Sequence, residues 1–383
     1  MIKFKEFLQL EESELGHQYL DFLTSYIYLD DLNESVIPIQ KAGENPLRKV
    51  TAAFDKIGEG KNPHTGEPLH PYGSKEYKKV VADAHARLKE KHKVDPKNLL
   101  AGNKKLADSS GENIKDKEGK HIFSQGVSLA PAYKGCGVDT CPKASKECKS
   151  ACLAHTSGAM ARAQATKDAK IRKTHAIFDS PEDSAIALHH HIQKETKAAK
   201  KDGTYNYSVR MNTTSDIPQR AYEGLRKANP HTQFYDYTKE HKQVLHNLSN
   251  KHAEGQKNLH LTFSSTGVHH AESNWKDARK VLRAGGNVAM VSRNKNAIKG
   301  KEEKEENKLP KQVHDTDTGE KWPVIDGDGR SKDQEGHGDA RFLDKPSHII
   351  GLHLKGVTPK KAGNFSVPHD HDRIAHVSDK LGK

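Results

Sequence analysis

The sequence holds no cysteine outside one short window, and no apolar run approaches the roughly 18–20 residues that a membrane-spanning helix needs. Its opening stretch, MIKFKEFLQLEESEL, is amphipathic and charged, without the apolar core and small-residue cleavage site of a secretory signal. These absences lead us to expect a soluble protein made in the cytosol, with no membrane partner. Hydrophobic residues are scarce, at 33% of 383, against 30% charged. That is a lean core for the length, so part of the chain is expected to be extended or poorly ordered. No repeat of fixed period is present. Acidic charge is outweighed by basic charge, for a formal net of +12. A basic balance suits nucleic acid or a phosphate-bearing ligand. The basic residues are nevertheless interleaved with Asp and Glu along the whole chain, which is also the pattern of a solvated surface.

What is present divides near residue 120. Before it, Phe4, Phe7, Leu8 and Leu15 keep helical spacing, and Tyr19, Leu20, Phe22, Leu23, Tyr26 and Ile27 continue an apolar run. Segments punctuated by Pro and Gly follow, then a helix expected over 74–93 on the stripe Val80, Val81, Ala84 and Leu88. Residues 95–120 are polar and read as a linker. Residues 1–120 are therefore expected to be a helical and linker region, partly disordered. From 121 to 383, short apolar runs alternate with helical stretches. Strands are expected at 126–130, 205–211, 233–237, 259–263, 287–291, 322–325 and 348–354. Helices are expected at 159–178, 181–200, 218–228, 240–251 and 274–283. This alternation implies an α/β fold, a (β/α) barrel or partial barrel with parallel strands. The charge-dense stretch 299–320 breaks the rhythm and is expected to be an insertion or loop.

In parallel α/β folds, ligands bind where the strands run out at their C-terminal ends. Here those ends are polar in succession. The run containing Arg210 leads into Asn212, Ser215 and Asp216; FYDY contains Asp236 and leads into Thr238 and Lys239; LHLTF leads into Ser264; NVAMV leads into Ser292 and Arg293; WPVI leads into Asp326 and Asp328. Loops are polar for reasons of turn chemistry alone, most of all at Asp326-Gly-Asp328. The functional reading pools these groups in one cleft. Asp216, Asp236 and Lys239 then stand as catalytic candidates, the two carboxylates for acid–base work. Lys239 or Arg293 would hold a phosphate or carboxylate. Arg210, Asn212, Ser215, Thr238, Ser264, Arg293, Asp326, Asp328, Asp339 and Arg341 would bind a small-molecule or nucleotide substrate.

All the cysteines, Cys136, Cys141, Cys148 and Cys152, fall within one 17-residue window, CGVDTCPKASKECKSAC. Two disulfides would be unusual in a reducing cytosol. Four thiolates in one short loop suit tetrahedral zinc or an iron–sulfur cluster. No C-x2-C pair of the zinc-ribbon kind occurs, which favours the iron–sulfur cluster over zinc. The helix after the loop carries Arg162, Lys167, Lys170, Arg172 and Lys173. Some of these could face an anion in the cleft, and most are expected to be solvated. His189, His190 and His191 are expected at the surface, because consecutive helical residues point in different directions. His369, His371 and His376 are expected in loops.

The ordered string TCPKASKECKSACL, SVRMNTTSDIP, FYDYTK, NLHLTFSS, GGNVAMVSR, VIDGD, ARFLD and HIIGLHLKG, over about residues 124–358, resembles a family of bacteriophage proteins without an assigned activity, the gene product 88-like group. That family is itself similar to radical S-adenosylmethionine barrels, in which a cysteine-rich loop follows the first strand. The resemblance would imply an iron–sulfur enzyme with S-adenosylmethionine as a further cofactor. The radical-enzyme pattern is C-x3-C-x2-C; here Cys148 and Cys152 supply C-x3-C, and no third cysteine follows at the required distance. The N-terminus also resembles the leader of proteins packaged in phage heads, with Leu10-Glu11-Glu12 at the position of a protease site. The resemblances thus imply a phage protein of the host cytoplasm, or one packaged in the virion. They leave two functions open: a metal enzyme, or a zinc-stabilised protein that binds nucleic acid.

Overall fold

The computed structural model describes residues 46–102, 106, 114–132, 137–152, 163–251, 257–268, 272–294, 309–328, 340–354, 362–370 and 372–379. The leader reading at 10–12, together with Cys136, Arg162, Asp339 and His371, lies outside them.

Helix α1 (Pro46–Gly58) begins on a proline, whose missing N–H costs nothing at a first helical position. Its buried residues Leu47, Val50, Ala53, Phe54 and Ile57 form one apolar stripe. Helix α2 (Lys75–His92) is capped by Ser74, whose side chain accepts from the Tyr77 N–H. Both lie ahead of residue 120, and both pack on α5 (Pro181–Asp202). Two bidentate ion pairs fasten these helices, α2 to α5 and α1 to the turn Gln219–Tyr222. Arg87 of α2 holds buried Asp183 of α5, with Nη2 to Oδ1 at 2.7 Å, and Arg220 holds Asp55 of α1 at 2.8 Å through both nitrogens. Close approach of α1 to α6 (Glu223–Lys227) needs glycine: a Cβ on Gly224 would lie 2.1 Å from the Phe54 carbonyl oxygen.

The remaining elements in chain order are β1 (Leu100–Ala101), β2 (His121–Val127), α3 (Lys146–Ser150), α4 (Gln164–Asp179), β3 (Tyr205–Arg210), β4 (Gln233–Thr238), α7 (His241–Ser249), β5 (Leu259–Ser264), α8 (Trp275–Arg283), β6 (Val288–Asn294), β7 (Gln312–Asp315), β8 (Lys321–Asp326), β9 (Ile349–His353), β10 (Val367–His369) and β11 (Ile374–Val377). Strands β2 to β6 lie side by side in sequence order, and every neighbouring pair is parallel. This is the array that the β-then-α alternation predicts, with β2 starting five residues earlier than expected.

Closure comes from a different source than a parallel barrel would provide. Strand β6 pairs on one side with β9, and on the other with β5 through Val288 and Ala289 and then with β10 from Ser292 onward. The ring β6–β10–β11–β7–β8–β9 closes as a six-stranded barrel of mixed direction. The reason is local. Between β7 and β8 only a tight turn intervenes, and the same holds for β10 and β11, so both pairs are antiparallel hairpins. Within the stretch expected to be an insertion, 312–315 therefore form a barrel strand, while 299–308 lie outside the described residues. Alternation sorts the barrel residues. Val288, Met290, Val324 and Ile349 join Trp275, Val281 and Leu282 of α8 in one core, and Ala289, Ile325 and Ile350 face Tyr237 in another. Among the described residues, no helix is long and apolar enough to cross a membrane.

Candidate functional site

The C-terminal ends of β2, β3, β4 and β5 are stitched together by short polar bonds. Beyond β2, the Thr214 hydroxyl donates to the Leu129 carbonyl at 2.6 Å and the Thr140 hydroxyl to the Ala130 carbonyl at 2.6 Å. The Asp216 N–H donates to the Thr140 carbonyl at 2.7 Å. The cysteine loop is thus anchored to the ends of both β2 and β3 immediately before Cys141. Inside the loop, Ser145 caps α3 by accepting from the Cys148 N–H, and Asp139 accepts from the Cys141 N–H. Helix α3 carries Cys148, and Cys152 follows two residues beyond the helix end.

Asn212 organises the turn after β3. Its side-chain oxygen accepts from the Ser215 hydroxyl and the Ile217 N–H, both at 2.9 Å, and its amide donates to the Ile217 carbonyl at 2.9 Å. Asp236, 1% exposed, is its partner across the strands. Asp236 accepts from the Asn212 backbone at 3.0 Å, from the Asn212 amide at 3.2 Å and from the Gln219 amide at 2.7 Å, with the Arg210 guanidinium at 3.8 Å. Burial pushes its carboxyl up to about 7, while Arg210 and the amide donors pull the other way. Arg210 also stacks over the Tyr237 ring at 4.5 Å.

A second cluster joins the strand ends to the cysteines. Lys239 follows β4; its N–H donates to Asp216 at 3.0 Å, and its Nζ approaches the Ser264 hydroxyl at 3.4 Å within electrostatic reach of Cys148. Burial works against its charge, but Cys148, Asp216 and Cys141 more than offset this and raise its pKa. Asp216 is pushed up by burial and drawn back by Lys239, with Thr238 donating to it. Burial pushes the Cys141 thiol up to about 12, so it is protonated at neutral pH. Cys141 and Cys148 form no disulfide. Among the described residues, no three His, Cys, Asp or Glu side chains are grouped to hold a metal.

The other expected site residues lie elsewhere. Arg293 of β6 turns to the barrel, its Nε 3.4 Å from the Ser366 carbonyl. Asp326, fully buried at the end of β8, accepts from the Asp328 N–H, and Asp328 accepts from the His353 backbone and faces its ring at 3.0 Å. Strand β8, which leads into Asp326 and Asp328, is joined to β5 through β9 and β6. Arg341 is fully buried against Asp344 at 3.1 Å and acts on His260, near the start of β5 rather than its end. Of the histidines, His189 is buried and bonded to Asn229, and His369 is buried in β10. The residues that sequence reasoning missed are Thr140 and Gln219. Thr140 adjoins Cys141, which was a usable signal; Gln219 gave none.

No curated protein and no solved structure matches the chain. A family model described as gene product 88 matches residues 97–346. That span takes in the cysteine loop, both polar clusters and the strands from β2 to β8, and the chain belongs to the gene product 88 family of bacteriophage proteins.

Proposed function

We propose that the protein is a phage enzyme whose cysteine loop holds a thiolate-ligated metal centre, an iron–sulfur cluster or zinc, at a ligand cleft over the C-terminal ends of β2 to β5. The observation that carries this reading is Lys239: its half-buried cation approaches Ser264, its N–H holds Asp216, and it lies within electrostatic reach of Cys148 and Cys141, so the loop and the strand ends share one electrostatic site. A metal bound by four thiolates carries net negative charge, and a half-buried lysine would supply the counter-charge. Cys136, Cys141, Cys148 and Cys152 would be its ligands, and an iron–sulfur cluster would supply electron-transfer or Lewis-acid chemistry. Asp216 is the group placed to move a proton at that site. Asp236, enclosed by three donated hydrogen bonds, acts by holding the turn 212–217 in place.

The test is iron, sulfide and zinc content, with visible absorption, of protein purified without oxygen. About one centre per chain is expected, lost when Cys141 and Cys148 are both changed to Ser. Metal-free protein whose thiols all react natively with an alkylating agent, with no metal released, would overturn the reading.

A further inference from the structure

The turn 61–68 and helix α2 flank an open cavity of about 440 Å³, lined by Asn62, His64, Thr65, Val80, Asp83 and Arg87. Its volume falls in the range of roughly 300–1,000 Å³ common for small-molecule sites. The turn is held firmly. The Asn62 side chain accepts from the His64 N–H, its carbonyl accepts from the Gly66 N–H, and Lys56 of α1 donates to the Pro63 carbonyl. Thr65 accepts from the Glu67 N–H. On the opposite wall, Val80, Asp83 and Arg87 follow one face of α2 at helical spacing. Asp183 of α5, with a side chain only 7% exposed, fixes one residue of each wall. It holds the His64 Nε2 at 2.7 Å, and it holds Arg87 through two nitrogens.

These bonds leave a defined set of groups for the cavity. An Asp four residues ahead of an Arg ordinarily pairs with it on a helix surface. Here Arg87 gives its Nε and Nη2 to the buried carboxylate of Asp183, and Asp83 forms no hydrogen bond or ion pair among the described residues. The Arg87 Nη1 is also unbonded. Because Asp183 neutralises Arg87, the lining carries the single negative charge of Asp83 when the imidazole is neutral. A phosphate or carboxylate would be repelled by Asp83, and a bare ammonium would leave the Arg87 donors unmatched. The complementary ligand is neutral and sets one acceptor beside two donors. Guanine has that order along its pairing edge: O6, then N1–H, then the N2 amine. Adenine puts a donor first and an acceptor second, and uracil and cytosine each offer two acceptors and one donor. Arginine is the commonest partner of guanine O6, and carboxylates accept from base amines.

We propose that this cavity binds a guanine base, with Arg87 donating to O6, Asp83 accepting from N1–H and the N2 amine, and Val80 and the His64 ring packing on the base. Asp183 acts as a positioning residue that fixes His64 and Arg87. The site shares no residue with the cysteine loop, and the inference does not rest on the reading of that loop. The base is supplied by a free nucleoside or by a single strand, and the test separates the two.

Isothermal titration calorimetry of the full chain compares guanosine, inosine, xanthosine and adenosine on the wild type and on Asp83→Asn. Fluorescence anisotropy makes the same comparison with a labelled thymidine decamer that carries one of the four bases at its centre. Asp83 is exposed and unbonded, so Asp83→Asn is expected to unfold in urea as the wild type does. The wild type should bind guanine at least about tenfold more tightly than hypoxanthine, which lacks the N2 amine and so forfeits one hydrogen bond to a charged group. Adenine should not bind measurably. Asp83→Asn should lose guanine by about the same factor and gain xanthine, because its amide donates to the xanthine O2 that a carboxylate repels. Binding of guanosine assigns a free nucleoside, and guanine-dependent binding of the decamer alone assigns a strand. The inference is overturned if neither guanosine nor the guanine decamer binds, if adenine or hypoxanthine binds as tightly as guanine, or if Asp83→Asn leaves guanine affinity unchanged.

Discussion

Replacing Asn212 with Ala tests whether one side chain holds the turn that carries Asp216. Asn212 is 1% exposed and ties both the N–H and the carbonyl of Ile217. Truncation leaves those two buried backbone groups without partners, at about 1–3 kcal/mol each. Asp236 loses one amide donor but keeps the Asn212 backbone and Gln219, so its share is smaller. We expect a total loss of about 3–5 kcal/mol, read from urea unfolding by circular dichroism. Because the Asp216 N–H also holds the Thr140 carbonyl, the cysteine loop should loosen and native alkylation of Cys141 should quicken. Asn212→Asp keeps the acceptor for Ile217 N–H and Ser215 but sets a second carboxylate against Asp236, and it should destabilise more at pH 8 than at pH 5. A loss below about 1 kcal/mol for Asn212→Ala, with unchanged thiol reactivity, would show that other contacts hold the turn and that this reasoning is wrong.

Gly224→Ala sets helix propensity against packing. Propensity alone would stabilise by up to about 1 kcal/mol, whereas the new Cβ would meet the Phe54 carbonyl oxygen at 2.1 Å and the Asp55 Cα at 2.6 Å. The displacement of α1 should prevail, with a net loss of about 2 kcal/mol in urea unfolding; equal or greater stability would refute the close approach. Stability should also fall in mild acid through His189, whose pKa burial lowers to about 4, with Asn229 opposing. The unfolded imidazole takes its proton near pH 6.5, so between pH 6.5 and 4 the unfolded chain binds a proton that the folded one refuses. This contribution is complete above pH 6.5 and costs at most about 3 kcal/mol by pH 4. His189→Gln should flatten the profile in that window, and an unchanged slope would remove His189 as its source.

The sequence by itself determined the parallel array. The 3.6-residue stripes of α2, α5, α7 and α8 and the short apolar runs of β3 to β6 are local patterns, and local patterns set element type wherever one face must be buried. It also determined that polar groups cluster at the strand ends and that the cysteine loop follows the first parallel strand. Helix α1 was legible in Leu47, Val50, Phe54 and Ile57, but the Pro and Gly around it masked the stripe. Only the tertiary structure decided the rest. Strands β7, β10 and β11 span three or four residues and carry too little pattern to declare themselves; they exist because the hairpin partners and β6 supply their hydrogen bonds. Five polar strand ends look alike in sequence, yet barrel closure sets Asp328 against His353 and turns Arg293 toward Ser366, and burial turns Asp236 into the anchor of a turn. Asp83 and Arg87 have the spacing of an ordinary surface pair on a helix; that Arg87 turns to Asp183 instead depends on how α2 lies against α5. Burial and partnership are properties of elements brought together across long stretches of chain, and no local pattern encodes them.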